Sequence, residues 1–194
     1  MDRLKELAER NNGILKTADV VAEGISKKTL ADFVNKNDFE RASHGIYYDP
    51  DTWMDHLFLL QLRCPKTVFS HDTALFLHDL TDREPLRYSV TATTGYNPSH
   101  LSADGVKVYT VKKELFPLGM SSCVTPFGNT VSVYNVERTI CDIIRSRSTI
   151  DIQVLQDALK QYVKRPGKNL YQLMEYARQF RVERILRQYL EVLL

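Results

Sequence analysis

Between Lys16 and Tyr48 the apolar residues fall into short, separate groups. Their spacing predicts a helix, a tight turn, a second helix and a β-hairpin. Val20 and Val21 belong to a short helix that Thr17 can cap, and Gly24 stands where that helix ends and the chain reverses. Ser26 is placed to cap the next helix. On it Leu30, Phe33 and Val34 recur at i, i+3 and i+4 and make one stripe to bury, while Lys27, Lys28, Asp32, Asn35 and Lys36 lie on other faces. Phe39–Ser43 and Ile46–Asp49 read as short strands around His44-Gly45, where glycine relieves the steric cost of positive φ. Residues 1–49 therefore have the layout of a winged helix-turn-helix unit. The other reading of the same pattern is a small helical module used for protein contact.

Asp49–Asp51 marks the expected boundary, with a larger second domain over residues 50–194. An Asp51 or Thr52 cap followed by Trp53, Leu57, Leu60 and Leu62 predicts its first helix, and a second is expected from about Ser70 to Leu80. Tyr88–Thr93, Val106–Val111 and Val131–Tyr134 are rich in β-branched and aromatic residues and read as strands of a small sheet. Phe127–Thr130 supplies a tight turn before the last of them. The rest is helical. Asn135 caps a helix carrying Val136, Ile140, Ile143 and Ile144, and Asp151 caps one carrying Ile152, Leu155, Ala158, Leu159, Tyr162 and Val163. Pro166-Gly167 ends that helix. Leu170–Phe180 and Val182–Leu193 mark two more, and all these stripes are read as core. The expected fold class is α+β, a mixed architecture: a winged helix-turn-helix, then a larger domain with a small β-sheet and a helical C-terminal part.

Composition narrows the class further. With 194 residues, 43% hydrophobic and 26% charged, the chain suits one or two soluble globular domains. No run approaches the roughly 18 apolar residues that span a bilayer, and Asp2, Arg3, Lys5 and Glu6 occupy positions where a signal peptide would be apolar. No membrane association and a cytoplasmic location are expected. Three widely spaced cysteines, Cys64, Cys123 and Cys141, argue against a disulfide framework or a structural zinc site. The net charge of +2 hides an asymmetry. Residues 1–49 hold eight basic against nine acidic residues, and residues 141–194 hold ten against six.

That asymmetry sets out two candidate surfaces. Lys27 and Lys28 occupy the first turn of the second helix, the part that enters the major groove in helix-turn-helix proteins, and Arg41 and His44 would project near the wing tip. Farther on, Lys160, Lys164, Arg165 and Lys168 cluster at one helix end, and Arg178, Arg181, Arg184 and Arg187 recur at three-residue steps. They read either as a basic face for DNA backbone, RNA or an acidic protein, or as solvated cations complementing helix dipoles. Catalytic chemistry finds little support. Ser70-His71-Asp72 has the residue types of a triad, but sequence neighbours on one helix are expected to point apart. His71 and His78 are too far apart for i, i+4 zinc chelation, so Asp72 reads as a cap rather than a ligand. No phosphate-binding glycine loop or acidic cluster for magnesium appears, so no catalytic residue, metal or cofactor is expected.

Three phrases, RASHGIYYDP (Arg41 to Pro50), VFSHDTALFLHDLTD (Val68 to Asp82) and VYNVERTICDIIR (Val133 to Arg145), follow the winged unit. In that order and spacing, the chain resembles the AbiEi antitoxins of type IV toxin-antitoxin systems over nearly its whole length. The resemblance implies a non-enzymatic antitoxin and transcriptional autorepressor in abortive infection, or phage defence. It implies double-stranded DNA as ligand, specifically inverted repeats in its own promoter. It also implies a nucleotidyltransferase toxin as functional partner, countered by the C-terminal domain without need of a stable complex. Carried onto this chain, Lys27, Lys28, Thr29 and Lys36 match the recognition helix, and Arg41, His44 and Tyr47 match the wing. Thr17 and Ser26 join them as candidate DNA-facing residues at the two helix starts. Glu137, Arg138 and Asp142 match a polar cluster, which the residues themselves suggest is a set of caps and ion pairs joining helix to sheet. The competing reading is a winged-helix regulator whose second domain is a nucleotide-acting enzyme, a ligand sensor or a protein-binding adaptor.

Overall fold

The structure is a computed structural model and describes residues 2–193. The chain divides into two compact units, the first ending at Cys64 and the second starting at Pro65. Residues 50–64, assigned from sequence to the second domain, fall with the first. Asp49 N–H donates to the Gly13 carbonyl at 2.9 Å, and Thr52 packs where a Cβ on Gly13 would stand, so the chain stays pinned to the first unit beyond its last strand.

The first unit runs α1 (Asp2–Arg10), β1 (Ile14–Lys16), α2 (Thr17–Ala22), α3 (Lys27–Lys36), β2 (Glu40–Ser43), β3 (Ile46–Tyr48) and α4 (His56–Arg63). Its strands form an antiparallel sheet in the order β1-β3-β2, with Leu15 opposite Tyr47 and Arg41 opposite Tyr47 on the other side. This is a winged helix-turn-helix. The stripe expected on α3 is buried: Leu30, Phe33 and Val34 close a core with Leu4, Ala8, Leu15 and Val20. Helix α1 and strand β1 complete that core, which is why the wing is three-stranded rather than a bare hairpin.

Two caps differ from expectation. Lys16, not Thr17, is the N-cap of α2, because Thr17 already has helical geometry and its N–H donates to the Gly45 carbonyl at 2.8 Å. Asp55 caps α4 by accepting from Phe58 N–H at 3.0 Å, so the helix begins after Asp51, Thr52 and Trp53, and Trp53 is exposed.

The second unit contains β4 (Val68–Phe69), α5 (His71–Leu77), β5 (Ser89–Thr93), α6 (Ser99–Ala103), β6 (Lys107–Val111), β7 (Met120–Val124), β8 (Thr130–Tyr134), α7 (Val136–Arg145), α8 (Ile152–Lys164), α9 (Leu170–Gln179) and α10 (Glu183–Leu193). Its mixed sheet has the order β6-β5-β4-β8-β7. β5 and β6 are parallel, as are β4 and β8, while β4 with β5 and β7 with β8 are antiparallel. Helix α7 is the centre of this unit, buried from Glu137 to Ile144. Its apolar residues Ile140, Ile143 and Ile144 meet Leu75 of α5, Leu155 and Leu159 of α8, Leu173 of α9 and Leu186 of α10 in one core. Asn135, Asp151 and Asn169 cap α7, α8 and α9 by accepting backbone N–H bonds from Arg138, Gln153 and Gln172.

Arg138 anchors this core. It is fully buried, donates to Asp142 at 3.0 Å and to the carbonyls of Leu115 and Leu118 at 2.9 and 2.6 Å. Its guanidinium lies 4.0 Å from the ring centroids of both Tyr134 and Phe180. Gly119, at φ +75°, lets the preceding loop pass close by, since a Cβ there would stand 2.5 Å from the Arg138 Cβ. Glu137 accepts from Asn169 N–H at 2.9 Å and ties α7 to the start of α9. The ion pair expected among Glu137, Arg138 and Asp142 is present, but it lies within α7, and these residues tie the helix to the 115–118 loop and the start of α9 rather than capping it onto the sheet. Among the cysteines, Cys64 and Cys141 are buried thiols, and Cys123 is half-buried on β7, where burial pushes its thiol up to about 11.

Candidate nucleic-acid interface

The turn between α2 and α3 is built by its backbone. Gly24, at φ +77°, donates to the Val21 carbonyl at 2.9 Å, and Ile25 N–H returns to Val20 at 3.1 Å, which ends α2 and turns the chain into α3. Ser26 then caps α3, accepting from Thr29 N–H at 3.1 Å, and the two hydroxyls bond each other at 2.8 Å. Ser26 and Thr29 are thus engaged in holding the helix start. The cap frees the first turn to present its cations. Lys27, Lys28 and, one face farther along, Lys36 are exposed, and none makes an ion pair among the described residues. Lys27, Ala31 and Asn35 form an exposed row at i, i+4 and i+8. Asn35 was not among the expected contacts, although its place in that row was readable from spacing, and its amide suits an adenine edge.

The wing residues are less free. Arg41 donates from Nε to the Ser43 carbonyl at 3.2 Å and from its terminal nitrogen to His44 Nδ1 at 3.1 Å, so the two expected wing contacts are bonded to each other at the tip. Tyr47 is half-buried and packs against the core of the unit. Thr17 is half-buried, its hydroxyl 3.2 Å from where a Gly45 Cβ would stand. The exposed cations of the unit's candidate surface are therefore in the α3 first turn and at the Arg41–His44 tip; Ser26 is exposed beside them, while Thr17 and Tyr47 are half-buried.

In the second unit the expected basic residues separate. Arg178, Arg181, Arg184 and Arg187 line one cleft at the α9–α10 corner together with Glu183 and Glu191. The corner is fixed by Arg181 in the left-handed conformation at φ +58° and by Val182 N–H donating to Ala177. Arg178 bonds Glu175 and Glu183, and Arg187 bonds Glu183 at 2.8 Å. Arg181 and Arg184 are exposed and have no ion pair among the described residues. Arg165 has a structural task, donating to the His78 carbonyl at 2.7 Å. Lys160 pairs loosely with Asp157 at 3.7 Å, and Lys164 and Lys168 stand at the end of α8 and in the turn beyond it.

Ser70 and His71 do meet, against expectation. His71 adopts φ +49°, which swings its ring so that Nδ1 lies 3.0 Å from Ser70 Oγ, while Nε2 lies 3.0 Å from Ser146 Oγ. Thr91 donates to Ser70 at 2.8 Å, and the Tyr109 ring stacks on the imidazole at 3.4 Å. The second nitrogen meets a hydroxyl rather than a carboxylate, and Ser70 and His71 are sealed from solvent. The arrangement fastens α5 to β5 and the end of α7; it offers no route to a substrate carbonyl. Burial, with Lys107, Arg145 and Arg138 nearby, holds the imidazole well below its ordinary pKa. The N-cap position of α5 is Ser70 rather than Asp72, but its hydroxyl is taken up by His71 and Thr91 and makes no capping bond, and burial raises the Asp72 carboxyl. Among the described residues no group of three or more His, Cys, Asp or Glu is placed to hold a metal ion, and no helix is long and apolar enough to cross a membrane.

Residues 2–48 match the model of a family described as "Transcriptional regulator, AbiEi antitoxin". The match covers the winged helix-turn-helix from α1 to the end of β3. Over the whole chain, the fold is similar to the crystal structure of the RV2827C protein from Mycobacterium tuberculosis, with a TM-score of 0.63 and 12% identity, covering 90% of this chain and 69% of that one. No curated protein matches the chain significantly.

Proposed function

Since the winged-helix unit matches the AbiEi antitoxin family of transcriptional regulators, we propose that the protein is a DNA-binding antitoxin that represses its own operon. The observation that carries this reading is the first turn of α3. There Ser26 and Thr29 bond each other and leave Lys27 and Lys28 exposed and unpaired, where a recognition helix meets the major groove. Arg41 and His44 at the wing tip add a second contact to the backbone or minor groove. The unit carries one more acidic than basic residue up to Asp49. Affinity therefore depends on where its cations stand, and Arg181 and Arg184 supply further phosphate neutralisation.

In this reading the binding site is an inverted repeat in the promoter, and the second unit counters a nucleotidyltransferase toxin in the manner of a type IV system, with no stable complex and no catalytic step of its own. The test is a gel-shift series across salt with DNA from immediately upstream of the gene. Full-length protein should bind specifically. Lys27→Ala/Lys28→Ala should weaken that binding at least tenfold and flatten the salt dependence by about 0.9 in log–log slope for each lysine that touches a phosphate. Specific binding that the double variant leaves unchanged would refute the recognition-helix assignment.

A further inference from the structure

Helix α10 carries a second apolar row that the core covers only in part: Ile185, Tyr189 and Leu193 pack against the core yet keep some exposure. Leu186 and Leu190 face inward, whereas Ile185 and Tyr189 are half-buried and Val192 is 84% exposed. Ile185, Tyr189 and Val192 follow i, i+4 and i+7, so they form a second row beside the first. With Leu159 of α8 and Leu193, this row lines a groove of about 750 Å³ between α8 and α10. Single exposed apolar residues are ordinary on a protein surface, but a continuous row in a groove marks an interaction site.

The rim has one sign of charge. Arg147 and Lys160 are the charged residues that border the groove itself, and Gln188 links it to the neighbouring cleft, where Arg184 and Arg187 stand with Glu183 and Glu191. Among the described residues Lys160 pairs with Asp157 at 3.7 Å, with both side chains more than half exposed, a pairing of little strength. An apolar floor bordered by cations from α8 and the turn before it fits a ligand that is apolar along one stripe and anionic beside it. Phosphates of a nucleic acid would use the cations and leave the floor wet. A second copy of this groove would set its cations against themselves.

We propose that the α8–α10 groove docks an amphipathic helix of another protein, with an apolar stripe at i, i+4 and i+7 flanked by carboxylates. This surface is separate from the α3 interface, and the proposal does not depend on operator binding. The experiment is fluorescence anisotropy of the full-length protein with three fluorescein-labelled helical peptides. The first has a leucine stripe with glutamate flanks, the second the same stripe with lysine flanks, and the third glutamate flanks with alanines for the leucines. Only the first should bind saturably. Val192→Asp and Lys160→Glu should each weaken it by about tenfold, with unchanged circular dichroism. Equal binding of the lysine or alanine peptide, or full binding by both variants, would overturn the proposal. So would displacement of the peptide by duplex DNA of unrelated sequence, which would reassign the groove to nucleic acid. Self-association abolished by Val192→Asp, without peptide binding, would equally overturn it in favour of a second copy.

Discussion

Arg138 is the bulkiest of the fully buried side chains, and its surroundings explain how a cation can stay there. Asp142 and two carbonyls bond its Nε and Nη1 and two aromatic faces cover it, while Nη2 is buried without a hydrogen-bond partner. Burial raises the Asp142 carboxyl, and the guanidinium beside it opposes that rise. Removing one partner strands the other. Arg138→Met should therefore cost about 3–5 kcal/mol in urea denaturation, and Arg138→Met/Asp142→Leu distinctly less, because the double variant leaves no buried charge unpaired. His71 gives a prediction of pH dependence. Its folded pKa is lowered, so the unfolded chain binds the proton more readily, and stability should fall as pH drops below the unfolded value of about 6.5. His78, also lowered by burial, adds a loss of the same sign; the raised carboxyls Asp72 and Asp142 act in the opposite sense. His71→Asn tolerates the left-handed backbone and cannot titrate, so its denaturation free energy should change less than the wild type's between pH 7.5 and 5.5.

At the scale of elements, helix caps separate stability from recognition in α3. Ser26→Ala removes the bond to Thr29 N–H and should lower stability by about 1 kcal/mol, measured by thermal unfolding, while its specific DNA affinity stays closer to wild type than that of the Lys27/Lys28 double variant. Elements whose evidence is local were readable from the chain. The Leu30–Phe33–Val34 stripe, the caps at Ser26, Asn135 and Asp151, and the strands at Ser89–Thr93 and Lys107–Val111 all carry their own periodicity or capping chemistry. Elements created by partners were not. β1 and β4 are three and two residues long and exist because β3, β5 and β8 pair with them. β7, MSSCV, lacks a strand pattern because both its faces are largely exposed. Asp55 was hidden among three possible caps in DTWMD. The Ser70–His71 bond depends on a backbone angle that a non-glycine residue rarely adopts. The exposed lysines in the first turn of α3 were legible for the same local reason as their helix, whereas the α8–α10 groove depends on how those two helices pack.

For the molecule as a whole, two cationic surfaces stand on two separate units, and their contributions can be told apart by salt. Arg181 and Arg184 have no ion pair among the described residues, while Arg178 and Arg187 already share Glu183. Charge reversal at Arg181 and Arg184 should reduce DNA affinity and its salt slope. Arg178→Ala/Arg187→Ala should change the slope less, because those cations have carboxylates to neutralise. An unaltered salt series for the Arg181/Arg184 reversal would remove the second unit from the DNA contact.

The same corner makes genetics on this protein easy to misread. Phe180 lies on the buried Arg138 guanidinium and is followed directly by Arg181, so the cleft inherits its shape from a residue that no ligand can touch. A random-mutagenesis screen for lost function should therefore collect alleles at Arg138 and Gly119 beside those at the surface arginines. Ranked by phenotype alone, the interior alleles would pass for contact residues. Scoring each allele for abundance in the cell separates them: substitutions at Arg181 or Arg184 leave the protein level intact, and those at Arg138 or Gly119 deplete it.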